Sequence, residues 1–101
     1  MGANIILGGN RVTNKKGYFF EPTILTGMTQ EMLVSREETF APIAALYKYD
    51  TEEEVVKLAN DTSMSLASYA FTKNVDRMWR MLENLEAGMI GMNTGESFTA
   101  L

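Results

Sequence analysis

Neither cysteine nor histidine occurs among the 101 residues. Their absence removes disulfides, thiolate nucleophiles, imidazole bases and soft metal sites, and with them most enzyme mechanisms. Chemistry carried by this chain alone would have to run on Asp, Glu, Lys, Ser or Tyr, and no pairing singles any of them out. Basic charge is also scarce: nine Lys and Arg stand against thirteen Asp and Glu, a net charge of −4. With no basic block to neutralise phosphates, neither nucleic acid nor an anionic membrane surface is an expected partner. No apolar run is long enough to span a bilayer. The opening "MGANIILGG" lacks the basic flank of a secretion signal, and Ile6 stands where a myristoyl signal wants Ser or Thr. The expected compartment is the cytosol, or the mitochondrial matrix if the chain is an excised piece of a processed protein.

What is present is globular in character. With 46% hydrophobic residues, one Trp, four Tyr and five Phe, the chain is too apolar for a disordered segment, and its length suits one domain over residues 1–101. Two extended segments, residues 4–7 and 18–25, flank the polar loop 8–17 with its "NKKG" turn and predict a β-hairpin. Pro22 has no N–H for a ladder, so the second segment should be an edge strand or carry an irregularity. Residues 43–49 read as a strand. Thr51 and Glu54 have capping-box spacing at the start of a helix over residues 52–60, with Val55, Val56, Leu58 and Ala59 as its apolar positions. Residues 67–72 read as a strand. Val75, Met78, Trp79, Leu82 and Leu85 recur at helical spacing, and Gly88 stands where a left-handed C-terminal residue is wanted. Residues 89–93 supply a last strand. From Ile43 onward the order is β-α-β-α-β, which predicts an α/β fold with a parallel sheet preceded by the hairpin, and two helices are modest cover for it.

The stretch "EETFAP" before Ile43 carries the most specific chemistry. Residues two apart in an extended chain project to one side, so Glu38 and Phe40 can offer a carboxylate and an aromatic face to a common pocket. A carboxylate can accept both hydroxyls of a ribose diol, and a flat ring can pack beside a nicotinamide. Pro42 biases Ala41 toward extended geometry.

Four ordered segments, "GYFFEPTIL", "EETFAP", "LANDTSMSLAS" and "LEAGMIGMNTG", make the chain resemble the aldehyde dehydrogenase superfamily from Ala3 to Gly95, with wording closest to succinate-semialdehyde dehydrogenases. The resemblance implies part of a catalytic domain in which Glu38 holds the nicotinamide ribose, Phe40 packs at the nicotinamide, and Asn93 lies near the substrate-side end of its strand. The family's cofactor is NAD or NADP. The resemblance places the nucleophilic Cys, the general-base Glu, the oxyanion Asn and the dinucleotide domain upstream of the matched region, and a P-F-G-G segment downstream of it. We therefore expect no catalytic residue here, no metal, no cofactor bound by the chain alone, and no turnover. Ala41 replaces the family's Gly, and Met64 and Ser65 replace an aromatic-Gly pair, at positions where a side chain could forbid a backbone only Gly adopts cheaply.

Plainer readings stand beside these. Glu38 can be a solvated acid and Phe40 ordinary core. Gly8, Gly9, Gly88, Gly91 and Gly95 lack phosphate-loop spacing and suit turns and close packing. Glu52, Glu53 and Glu54 point in different directions round a helix, which favours helix-start acids over a cation site. Met78, Met89 and Met92 fall on apolar faces and suit core filling better than an adaptable binding surface. The expected partners are a second copy of the chain or the rest of an aldehyde dehydrogenase. The competing reading of function is a non-catalytic interaction module using an exposed sheet edge, and a third is a residual nucleotide binder.

Overall fold

The computed structural model describes residues 2–95; the tail "ESFTAL" and the expectation attached to it lie outside them. The chain divides into two compact units, residues 1–49 and 50–101.

In the first unit the expected hairpin is present but broken in the middle. Strand β1 (Asn4–Leu7) pairs antiparallel with β4 (Thr23–Thr26), with a register shift between Ile5 and Leu7. Between them, β2 (Arg11–Val12) pairs with β3 (Phe19–Phe20) as a separate two-stranded ribbon. Pro22 is the reason for the break, because a residue without an N–H cannot carry one ladder through both pairings. Pro22 was compatible with either an edge position or an irregularity, and β4 settles it by lying centrally, between β1 and β5 (Ile43–Ala45). Strand β2 falls inside the stretch read as loop, since two residues carry no detectable alternation.

The turn after β1 shows why glycine is needed there. Gly8 has φ +69, and a Cβ on it would lie 2.2 Å from the Pro22 carbonyl oxygen. Thr23, only 4% exposed, locks the approach: its hydroxyl donates to the Glu21 carbonyl at 2.8 Å and accepts from the Gly9 N–H at 2.9 Å. Its polar side chain is thus buried with both hydrogen-bonding roles satisfied.

Strand β5 lies parallel to β4, with Thr23 opposite Ile43 and Leu25 opposite Ala45. The Leu46 N–H reaches the Leu25 carbonyl at 2.9 Å, and regular pairing ends there, short of the expected Tyr49. The template runs out: β4 stops at Thr26, and Gly27, at φ +65, turns the chain away.

The second unit holds α2 (Glu52–Asn60), β6 (Ala67–Ala70), α3 (Val75–Asn84) and β7 (Met89–Met92). Thr51 Oγ1 accepts from the Glu54 N–H at 3.1 Å, as its spacing predicted, while Glu54 Oε2 reaches back to the Asp50 N–H at 2.8 Å, one residue beyond the usual box. Asn74 caps α3 by accepting from the Arg77 N–H at 2.8 Å. The two helices are tied at both ends. At their starts Glu52 takes Arg77 and Arg80; at their ends Asn60 donates to the Asn84 carbonyl at 2.8 Å and accepts from the Glu86 N–H at 2.9 Å.

Strands β6 and β7 are parallel, with Ala67 opposite Met89 and Ala70 opposite Met92, and they form their own two-stranded sheet. The architecture is therefore mixed α/β, and among the described residues the strands form three small sheets instead of the single parallel sheet expected from Ile43 onward. Element order names the crossovers but not the neighbour each strand takes, and β5 takes β4 instead.

Gly88 also corrects its reading: it is not at positive φ, and α3 closes at Leu85 in an extended conformation. Its need for glycine is spatial, because a Cβ would meet the Leu66 carbonyl oxygen at 3.3 Å while its N–H donates to Ser65 at 2.8 Å. Among the described non-glycine residues the left-handed one is Asn93, at φ +56. Among the described residues only Met28 and Met81 count as buried apolar side chains. Met78, Met89 and Met92 are half-buried, so the core filling expected of them is partial.

Candidate functional site

The "EETFAP" stretch connects α1 (Leu33–Arg36) to β5 and is pinned at both ends. Helix α1 is one turn long and stops where Glu37 becomes extended, φ −109 and ψ 134, with its N–H on the Leu33 carbonyl at 2.8 Å. The turn is fixed from below: Ser35 Oγ donates to the Thr29 carbonyl at 2.7 Å and shares a short hydrogen bond with the Tyr47 hydroxyl, and Arg36 Nε donates to the Gln30 carbonyl at 2.7 Å. Downstream, the Ile43 N–H closes a tight turn on the Ala41 carbonyl at 2.7 Å, and the Pro42 carbonyl accepts from the Thr23 N–H at 2.8 Å. A single buried residue, Thr23, thus orders both the Gly8–Gly9 turn and the exit of the motif.

Between these anchors residues 38–40 belong to no strand, and both Glu38 and Phe40 are exposed, Phe40 to 93%. Ordinary core packing for Phe40 is therefore not what this unit provides. The ring is held out of the fold by a pinned loop and joins other large apolar side chains that the described residues leave exposed, Tyr18 to 98% and Leu66 to 77% among them. The chemistry of the pair suits a nicotinamide riboside: a carboxylate for the diol hydroxyls and a ring for a planar face. Ala41 and Ser65, which replace family glycines, both keep negative φ, so neither departure strains the backbone.

Asn93 lies on the second unit, at the carboxyl end of β7. Its Oδ1 accepts from the Thr72 N–H at 2.8 Å, its Nδ2 donates to the Thr72 carbonyl at 3.0 Å, and its own N–H reaches the Ala70 carbonyl at 2.8 Å. The side-chain amide stands in for a peptide group and prolongs the ladder by one step after the backbone has turned away. Composition and spacing gave no signal for this bracket beyond Asn being tolerant of the left-handed region.

Glu52 is a charged feature that spacing alone does not reveal. It accepts from Arg80 Nε at 2.5 Å and from Arg77 Nε at 2.9 Å, and these hydrogen bonds, Arg80 first, hold its pKa down to about 2 from an ordinary 4.5. The same bond raises the Arg80 pKa. An acid already saturated by two guanidinium groups is a helix-to-helix tie and not a cation ligand. Among the described residues no group of acids could hold a metal ion, and no helix is long and apolar enough to cross a membrane.

The profile of the aldehyde dehydrogenase family matches residues 1–100. The chain belongs to the aldehyde dehydrogenase family. It is 50% identical over 92 residues to the succinate-semialdehyde dehydrogenase [NADP(+)] 2 of Schizosaccharomyces pombe, covering 91% of this chain and 19% of that protein. It is also 50% identical over 93 residues to the 3-sulfolactaldehyde dehydrogenase of Pseudomonas putida, covering 92% and 19%. Among solved structures, an indole-3-acetaldehyde dehydrogenase complexed with NAD+ superposes with a TM-score of 0.90 at 32% identity, over 94% of this chain and 19% of that one. The chain spans about a fifth of the length of the curated relatives it matches.

Proposed function

We propose that this chain is a segment of the catalytic domain of an NAD(P)-dependent aldehyde dehydrogenase and supplies one wall of its nicotinamide pocket through Glu38 and Phe40. The observation that carries the reading is the pinned, outward-facing loop: two anchored ends and an almost fully exposed Phe40 fit a surface made to be covered by a ligand and by more protein. Glu38 binds and orients the ribose by accepting its hydroxyls, and Phe40 excludes water from one side of the ring. The bound dinucleotide supplies the hydride acceptor. With no thiol in its sequence the chain cannot capture an aldehyde covalently, so we expect it to be inactive alone and to bind no dinucleotide measurably.

Succinate semialdehyde is the substrate we favour for the complete enzyme, and equal identity to a 3-sulfolactaldehyde dehydrogenase keeps the proposal to an aldehyde bearing an anionic group. Each parallel pair, β4–β5 and β6–β7, gains further parallel strands in the complete catalytic domain. Cytosol or mitochondrial matrix is the compartment.

The test is a graft in which residues 3–95 replace the aligned stretch of the S. pombe enzyme. Glu38→Gln in the graft should lower kcat/KM for the dinucleotide about 10- to 150-fold, the worth of a hydrogen bond to a charged group. An unchanged value, with the graft itself active, overturns the assignment of Glu38.

A second reading, an interaction module that self-associates, is favoured by one observation. Strand β1 lies at a sheet edge, carries no charge, and leaves Ile5, Ile6 and Leu7 more than half exposed, which is the profile of an edge that pairs with another chain. A single monomeric species in sedimentation at high concentration counts against it.

A further inference from the structure

Helix α1 delivers the chain to Glu38, yet little of its own holds it in place. It is one turn long, its N-cap residue Met32 supplies no side-chain hydrogen bond, and none of its residues is buried. A helix this short is not stable by itself, so its position is set by ties to the rest of the first unit. Ser35 makes one such tie. Its hydroxyl hydrogen is committed to the Thr29 carbonyl at 2.7 Å, which leaves its oxygen to accept, so in the short contact with Tyr47 the phenol is the donor. Tyr47 in turn stands on the sheet: it follows Leu46, whose N–H reaches the Leu25 carbonyl at 2.9 Å just beyond the end of β5. Ser35 and Tyr47 are both half-buried, where a relay of hydrogen bonds is stronger than in open water and each bond reinforces the next.

We propose that the Tyr47 hydroxyl is a positioning group for the dinucleotide site: through Ser35 it fixes the entry of the "EETFAP" loop and thereby sets where the Glu38 carboxylate meets the ribose. The proposal rests on the nicotinamide-pocket reading above. Ser35 lies three residues before Glu38 and Tyr47 five after Pro42, so their contact closes a loop with the whole motif inside it. The exit of that loop is held separately, by the Thr23 N–H on the Pro42 carbonyl. Residues 38–40 belong to no strand, so a displacement at the entry passes to Glu38 with no ladder to absorb it. Tyr47 acts on the ribose only through the backbone that carries Glu38. Tyr47→Phe isolates this role, because it deletes the donor, keeps the ring and leaves Ser35 its bond to Thr29.

The test is a double-mutant cycle in the graft described above. Tyr47→Phe should raise KM for NADP about 3- to 10-fold, the worth of one net hydrogen bond, and by more than it lowers kcat. On a Glu38→Gln background the same change should add less than about twofold, because the group it positions is already disabled. A general loss of stability would carry over to that background in full. Tyr47→Phe without effect beside a damaging Glu38→Gln overturns the proposal, and so does an effect of Tyr47→Phe that Glu38→Gln leaves undiminished. Glu38→Gln without effect removes the ribose reading itself and the proposal with it, which tells the two failures apart.

Hydrogen exchange in the same graft gives a readout that needs no turnover. The Glu37 N–H is held on the Leu33 carbonyl at the end of α1, and the Thr23 N–H on the Pro42 carbonyl, both at 2.8 Å. With Tyr47→Phe the Glu37 amide should exchange about 3- to 10-fold faster while the Thr23 amide keeps its rate, as loosening of the entry alone requires. Acceleration of both amides alike, or of neither, overturns the proposal.

Discussion

Replacing Asn93 separates two physical roles that its side chain and backbone play together. Its amide exchanges two hydrogen bonds with the Thr72 backbone, at 2.8 and 3.0 Å, and its φ of +56 is a conformation that costs an ordinary residue about 1 kcal/mol or more. The residue is exposed, so each bond should be worth the lower end of the usual net range, about 0.5–1 kcal/mol. Asn93→Ala loses the bracket and adds left-handed strain that Asn tolerates better, about 1 kcal/mol, for a destabilisation of about 2–3 kcal/mol. Asn93→Gly loses the same bracket but relaxes the backbone, for about 1–2 kcal/mol. Trp79 belongs to the same unit and offers an unfolding probe, so urea titration followed by its fluorescence reads both variants. Glycine should be the milder replacement by about 1 kcal/mol. Equal midpoints for the two variants would refute the backbone term, and a wild-type midpoint for Asn93→Ala would refute the bracket.

Other named contacts give further expected outcomes. Glu52 has its pKa depressed to about 2, so its ties to Arg80 and Arg77 stabilise the second unit fully above pH 4.5 and are lost as pH falls toward 2; Glu52→Gln should flatten the acid limb of the stability profile over that window, and an unchanged limb would contradict the tie. Both arginine side chains are half exposed, so the same contribution should shrink in high salt. Thr51→Ala removes the cap on the Glu54 N–H and should cost about 1 kcal/mol, largely restored by Thr51→Ser, as read from urea midpoints. Gly91→Ala puts a methyl 2.7 Å from the Tyr69 ring, so the ring must move, at a cost of about 1–3 kcal/mol and with shifted Tyr69 proton resonances.

How far the sequence disclosed the molecule depends on the range of the interaction concerned. Local signals were legible: Thr51 and Glu54 announced a helix start that the hydrogen bonds bear out, and the spacing from Val75 marked α3. Pro22 announced an edge strand or an irregularity, and it is the irregularity that occurs: the hairpin breaks there while β4 lies centrally. Pairing between distant segments was not legible. Nothing in "IAALYKY" says that β5 takes β4 and stops when β4 ends, because strand choice is decided by the partner's length and edge. Glycines illustrate the same limit. Gly88 was read as a left-handed cap from its place after a helix, whereas the need there is clearance from Leu66, a residue 22 positions away. The motif "EETFAP" marked Glu38 and Phe40 by residue type, while the anchors that hold the loop out come from pairings no local pattern shows: Thr23 lies well upstream of the motif, and Ser35 and Tyr47 meet across it. The Asn60 and Asn93 brackets escaped for the same reason: an amide gives no hint in sequence of which backbone it will meet.

Whether Glu38 and Phe40 face a nicotinamide riboside is decided by a crystal structure of the graft with NADP bound. Both Glu38 carboxylate oxygens should lie within hydrogen-bonding reach of the hydroxyls of that ribose, with the Phe40 ring beside the nicotinamide. A bound dinucleotide whose nicotinamide riboside touches neither residue would contradict it.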